Sequence, residues 1–169
     1  IIQADFTKQK FPPNFFDAAF GNPPFSDTKI LVDPEYKAQR FNLHNYFFAK
    51  SIDRVRPGGL LVFVTSRYTM DTKGDKARRY LSERANLLGA IRLPQTAFKE
   101  NAGTEVVTDV LFLQKKEDGA DQAGASWTGL KPVEIGEEVV SINEYFVDHP
   151  EMVLGEHSTK GSMYSSNEY

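Results

Sequence analysis

Short apolar runs alternating with a helix-patterned stretch predict an α/β layered domain with a mainly parallel sheet. Three observations carry this. Phe15 to Phe20 and Leu60 to Thr65 are apolar runs of strand length. Between them, Asn42 to Val55 has apolar residues at 43, 46, 47, 48, 52 and 55, which is helical spacing. Leu88 to Leu93 and Thr108 to Gln114 read as two further strands with no helical pattern between them. That predicts an antiparallel pair at a sheet edge.

Each element has its own signal. Ile1 to Asp5 reads as the end of a strand, and Thr7 to Asn14 as a polar connection containing proline. Phe15 to Phe20 is expected to be a buried strand, stopped by Gly21-Asn22-Pro23-Pro24 because proline cannot continue a central ladder. Ser26 to Arg40 is polar and irregular, a surface loop. Pro57-Gly58-Gly59 is expected to end the Asn42 to Val55 helix. Leu60 to Thr65 is almost wholly apolar, as in a strand covered on both faces. Asp75 to Ala85 reads as a charged helix with Ala77, Tyr80, Leu81 and Ala85 on one side, and Pro94 to Val107 as a long loop. Lys115 to Ser126 is rich in Gly, Ala and Asp. The expected organisation is a domain over 1–116, a linker over 117–126 and an extension over 127–169. In the extension Ser141 is expected to cap a short helix, with Glu144 closing a capping box.

The 169 residues are 40% hydrophobic and 25% charged, as in an ordinary soluble protein. No apolar run approaches the roughly 20 residues that cross a bilayer, so no membrane association is expected. The absence of cysteine excludes disulfides, zinc–thiolate sites and thiol catalysis, and it fits a cytoplasmic location. The net charge of −3 lacks the basic excess of a self-sufficient nucleic-acid binder. DNA contact must then come from a local patch or from another part of a larger protein. The first residue is Ile1, and the chain is read as part of a longer polypeptide.

Chemistry concentrates at Asn22-Pro23-Pro24-Phe25, directly after a strand. Ligands in open α/β sheets bind outside the carboxyl ends of strands. Proline has a carbonyl and no N–H, and it pushes the residue before it to an extended conformation. Two acceptors, the Asn22 side chain and the Pro23 carbonyl, can therefore grip both hydrogens of a planar amino group. Phe25 offers a flat face for a ring. Such bonds return electron density to a nitrogen whose lone pair is delocalised, and the rest is positioning and electrostatics. A plain strand-ending turn would account for the same residues without chemistry.

Other candidates are weaker. Asp5 and Phe6 lie where a preceding strand would end. Arg67 and Tyr68 follow Leu60 to Thr65 and face the same cleft as Asn22; base-pocket contact and loop packing are both open. Lys73, Lys76, Arg78, Arg79 and Arg84 could touch phosphates or form a solvated helix face. Ser26 and Asp27 read as loop residues. His44, His149 and His157 are scattered, without metal-ligand spacing, so no metal is expected.

Ala4-Asp5-Phe6, Gly21-Asn22-Pro23-Pro24-Phe25, the helix Asn42 to Val55, Arg56-Pro57-Gly58-Gly59 leading into Leu60-Leu61-Val62-Phe63-Val64, and Asp109-Val110-Leu111-Phe112-Leu113 together resemble the catalytic core of N6-adenine DNA methyltransferases. The likeness covers roughly residues 1–116. It implies a Rossmann-like sheet for an S-adenosylmethionine-dependent methyltransferase with an antiparallel last strand, and S-adenosylmethionine as methyl donor. By this resemblance Asn22 and the Pro23 carbonyl hold the target amino group, Pro24 completes the turn and Phe25 stacks on the flipped base. Asp5 and Phe6 contact the adenosine of the cofactor, and Phe98 is similar to an aromatic pinning the far side of the base. The tetrad is also similar in glutamine methyltransferases acting on release factors and in some RNA guanine methyltransferases. The family's Gly-rich cofactor loop has no counterpart here, which implies a sheet truncated at its N-terminal side. Such a fragment is expected to bind S-adenosylmethionine weakly and to be inactive alone.

Residues 142–156 resemble a segment that follows the methylase domain in large bacterial and phage proteins joining an N6-adenine methylase to a Swi/Snf-type helicase. The expected partners are therefore DNA and the remaining domains of a parent protein. A methylase acting on a protein glutamine or an RNA base stays open, as does a non-catalytic nucleic-acid-binding remnant.

Overall fold

The computed structural model describes residues 2–98, 106–121 and 123–159. Strands β1 (Phe16–Gly21), β2 (Val55–Ser66), β3 (Ala85–Leu93) and β4 (Thr108–Lys115) form one sheet in the order β1-β2-β4-β3. β1 pairs parallel with β2, and β4 runs antiparallel to both β2 and β3. Two of the three pairings are therefore antiparallel, so the sheet is not the mainly parallel one the sequence predicts: β4 is inserted between β2 and β3 and separates strands that share a direction. Helices α1 (Leu43–Arg54), α2 (Tyr68–Asp71) and α3 (Lys76–Arg84) precede or follow the strands. A hairpin of β5 (Leu130–Ile135) and β6 (Glu138–Asn143) leads into α4 (Glu144–Asp148).

α1 starts where Asn42 accepts the Asn45 N–H at 3.2 Å, satisfying one of the orphan donors of a helix start. It buries Tyr46, Phe48, Ala49 and Ile52. It ends at Arg54, before Pro57-Gly58-Gly59, because Val55 already pairs with Phe16. The Pro-Gly-Gly run instead absorbs a jump in register, from Phe16↔Val55 to Ala18↔Leu60. Gly59 is required there: a Cβ would lie 2.6 Å from the Asp17 carbonyl oxygen. β2 is not covered equally on both faces. Leu61 and Phe63 are buried, while Val62 and Val64 are half-buried.

Two further strand expectations fail. Residues 2–5 form no strand, since no neighbouring strand lies beside them among the described residues; Asp5 caps a 3-10 turn over Phe6–Lys8 instead. β1 forms but is not buried. It is an edge strand among the described residues, with its Phe20 71% and the preceding Phe15 63% exposed. An apolar run reports the capacity for burial, and only the neighbours decide whether it is realised.

The main core joins Phe48, Ile52, Leu61 and Leu111 to Trp127, Ile142 and Phe146 of the C-terminal segment. Asn143, not Ser141, caps α4, accepting the Tyr145 N–H at 3.0 Å. Glu144 accepts from the Gly129 N–H at 2.9 Å and from the Ser126 hydroxyl at 2.7 Å. Asn143 also donates its backbone N–H to Asp71 and its side-chain amide to the Met70 and Trp127 carbonyls. Beside it the buried Arg92 guanidinium bonds both oxygens of Asp109, at 2.8 and 2.9 Å, meets Asp71 at 2.8 Å and lies 4.3 Å over the Phe146 ring. Burial raises the Asp109 carboxyl above its ordinary range against the pull of Arg92.

Breaking a buried pair by removing one partner costs about 3 to 5 kcal/mol, because the other charge is left uncompensated. Arg92→Met is therefore expected to lower stability by about that amount. Urea unfolding checks this: the midpoint should fall with the slope unchanged.

Candidate active site

β1 ends at Gly21, whose register partner is Phe63 on β2. The next four residues turn across the carboxyl end of the sheet. Pro23 is buried and fixes the turn; Asn22 and Pro24 are exposed, and Phe25 is 39% exposed. Asn22, Pro23 and Pro24 line a cavity of about 520 Å³, with Phe6, Phe47 and Phe63 among its other walls. That volume is in the range of small-molecule sites. The first turn of α1 supports the tetrad. The Leu43 N–H reaches the Ser26 carbonyl at 3.3 Å, and the His44 ring packs edge-on to Phe25 with centroids 6.4 Å apart.

Phe6 reaches the same cavity from the N-terminal turn. Its ring stacks on Phe47 at 4.7 Å and 15°, leaving its other surfaces toward Phe11 and Tyr46. The Phe6 carbonyl accepts the Lys50 ammonium at 2.8 Å. Lys50 is buried, and it also donates to Asp33 at 2.8 Å and to the Tyr46 hydroxyl at 3.1 Å. Burial opposes ionisation of Asp33, but the bonds from Lys50 and Tyr46 outweigh it and keep that carboxyl below its ordinary range. Asp5 is exposed and does not line the cavity. Its Oδ1 accepts from the Thr7 hydroxyl at 2.7 Å and the Thr7 N–H at 2.9 Å, which lowers its pKa.

The structure gathers Asn22, Pro23, Pro24 and Phe6 at one cavity and leaves the other candidates around it. Arg67 and Tyr68 follow the carboxyl end of β2. The Arg67 guanidinium lies 4.5 Å over the Tyr68 ring and 3.9 Å from Asp71, and Tyr68 is 45% exposed. Phe98 is half-buried in the turn after β3, and part of its loop, residues 99–105, lies outside the described residues. Arg78 is buried and not on a solvated helix face: its guanidinium donates to the Thr128 and Thr69 carbonyls. Among the described residues no group of His, Asp and Glu could hold a metal ion, and no helix is long and apolar enough to cross a membrane.

Lys50, Asp33 and His44 support this site, and sequence reasoning did not single out the first two. A signal for Lys50 existed in its position, four residues after Tyr46 on the buried stripe of α1. Burial lowers the His44 pKa below its ordinary 6.5. The folded chain then binds fewer protons than the unfolded chain just below pH 6.5, so stability falls as pH drops through that window. His44→Gln is expected to flatten this part of the stability–pH curve, measured as urea midpoints between pH 7 and pH 5.

The family model of the Eco57I restriction-modification methylases matches residues 2–98. The "Defense against restriction protein B" of Escherichia phage P1 is 35% identical over 107 residues, which span 62% of this chain and 5% of that protein. A solved structure from Listeria monocytogenes, assigned as a class I S-adenosylmethionine-dependent methyltransferase, superposes with a TM-score of 0.52 at 18% identity, covering 72% of this chain and 39% of its own. Another, from Vibrio vulnificus and assigned as a modification subunit of a type I restriction enzyme, gives 0.53 at 16% identity, covering 68% and 28%. Likeness at such identity shows the fold, that of the class I methyltransferases. With a match over more than half of its 169 residues, the chain belongs to the Eco57I restriction-modification methylase family.

Proposed function

We propose that this chain is part of a protein that transfers a methyl group from S-adenosylmethionine to the N6 of adenine in DNA. One observation carries the reading: Asn22, Pro23 and Pro24 line the same cavity as Phe6, at the carboxyl end of a strand. The amino-gripping turn and the aromatic expected against the cofactor's adenine thus meet in one place. Family membership supports methyl transfer within restriction-modification chemistry.

The Asn22 side-chain carbonyl and the Pro23 carbonyl each accept one hydrogen of the adenine amino group. This draws the lone pair out of ring conjugation and favours the pyramidal nitrogen that can attack. Pro24 stiffens the turn, and Phe25, with the His44 ring edge-on to it, stacks on the base face. S-adenosylmethionine, when bound, supplies an electrophilic methyl on a sulfonium. Phe6 packs on its adenine; Asp5 lies just before it, outside the cavity lining, with its second oxygen 3.9 Å from the Lys8 ammonium. The amino nitrogen loses its proton after attack, when it has become acidic, so no strong base need precede the step. Tyr68, Arg67 and Phe98 stay candidates for nucleotide contact: they follow the ends of β2 and β3 and do not line the cavity.

The remaining domains of the parent protein are the second partner. Among the described residues one side of β1 is unpaired, and its Phe20 and the adjoining Phe15 are exposed, which supports a neighbour beside this strand.

Expression of the parent protein in cells lacking adenine methylation should give N6-methyladenine in digested DNA, read by nucleoside mass spectrometry. Asn22→Ala is expected to cut the signal by about 100-fold or more. A well-expressed parent with no signal overturns the reading and directs the search to RNA and protein substrates. Phe6→Ala in the parent should weaken S-adenosylmethionine binding by about three- to tenfold, measured by calorimetry, the range expected for one aromatic stacking contact.

A further inference from the structure

The irregular loop leaving the tetrad comes back to the head of α1 and lies against the head of α3. Lys29 pairs with Asn42 as an isolated antiparallel bridge, and the Ile30 N–H reaches the Phe41 carbonyl at 2.9 Å. The Lys76 ammonium donates to the Gln39 carbonyl at 2.7 Å, and Phe41 packs edge-on to Tyr80 at 5.2 Å. These contacts bring Lys29, Arg40 and Lys76 to one rim beside the α1 residues that hold Ser26 and Phe25, with Lys73 in the turn entering α3. All four side chains are exposed, and none makes an ion pair among the described residues. The rim carries two acids. Asp27 is exposed, and Asp75 is paired with Arg79 at 2.9 Å. A local cationic excess therefore sits beside the site in a chain whose net charge is −3.

Arg40 makes the rim more than a solvated surface. Its φ is 53° and its ψ 37°, the left-handed region, where its N–H closes a turn to the Lys37 carbonyl at 3.3 Å. Among the described residues one other non-glycine has positive φ, Asn14, whose short polar side chain tolerates it. Arginine has no such compensation. Glycine would make the same turn without strain. An exposed arginine held in a costly backbone conformation, with no ion pair among the described residues, points to a use for its guanidinium, and an anion is what a guanidinium binds.

We propose that Lys29, Arg40, Lys73 and Lys76 grip the phosphate backbone of duplex DNA beside the base presented to the tetrad. This rests on the reading of the chain as part of a DNA methylase. Arg40 would fork onto one phosphate and the lysines would act as point charges, so the contact sets register on the duplex and carries no sequence preference.

Fluorescence anisotropy of the full-length protein with a labelled mixed-sequence duplex, over a series of salt concentrations, tests this. Arg40→Gly should make the slope of log K against log salt shallower by about 0.9, the value for one lost phosphate contact. Its melting temperature should stay the same or rise, because glycine relieves the strained turn. Lys29→Gln should shift the slope by a similar amount, and it decides the matter if Arg40→Gly fails to fold. Lys131→Gln, on β5, should leave the slope unchanged. The proposal is overturned if wild type binds and methylates duplex DNA while both rim variants keep its slope. It is overturned equally if the change appears only with single-stranded RNA. If wild type neither binds nor methylates DNA, the functional reading itself falls and takes this proposal with it.

Discussion

The Lys50 ammonium sits where three segments meet that are far apart in the chain. Its three protons go to the Phe6 carbonyl, the Asp33 carboxylate and the Tyr46 hydroxyl. Burying such a charge costs several kcal/mol unless every proton finds an acceptor. Here each does, and the Tyr46 hydroxyl in turn donates to Asp33 at 2.7 Å. The N-terminal turn, the irregular loop and α1 are thereby tied at a point. Phe6 is held against Phe47 on the cavity wall, and the loop that leaves the tetrad is anchored halfway along its path. The chemistry-bearing residues are themselves short of regular structure, so the precision of the site is borrowed from this buried junction.

Arg92 plays the corresponding part on β3, at the opposite edge of the sheet. It couples β3 to β4 through Asp109, to α2 through Asp71, and to the C-terminal segment through the Phe146 ring. Asp71 also accepts the Asn143 N–H, so α2 is fixed from two directions. Arg67 and Tyr68 stand at the entry to that short helix. The placement of these two residues thus depends on groups distant in the chain.

Much of this architecture was legible in the sequence. α1 and the strands around it announce themselves through local periodicity, and Asn22-Pro23-Pro24 marks its own position because proline ends a strand by covalent geometry. The antiparallel last strand followed from the missing helix between Leu93 and Thr108. What stayed hidden depends on partners distant in sequence. Arg78 reads as a phosphate contact or a solvated helix charge, and sequence reasoning singles out neither Lys50 nor Arg92, yet all three are buried because acceptors arrive from elsewhere in the chain. The exposure of β1 was equally invisible, since an apolar run does not say which neighbours it has. The hairpin of β5 and β6 was missed although Val133 and Ile135 alternate with Glu134 and the glycine at 136 marks its turn. The left-handed turn at Arg40 was beyond reach, since arginine gives no hint of positive φ.

The side of β1 that is unpaired among the described residues also bears on how such a molecule behaves at different concentrations. Six residues with Phe16 and Phe20 among them and Asp17 as the lone charge offer a row of backbone donors and acceptors to any extended chain. A tethered neighbour meets that row at an effective concentration near millimolar, whereas a second copy meets it only at the bulk concentration. Dilute and tethered, the strand completes a sheet; crowded and alone, the same hydrogen bonds favour edge-to-edge stacking of copies. One surface thus provides for assembly in one setting and for precipitation in the other, and the tether decides between them.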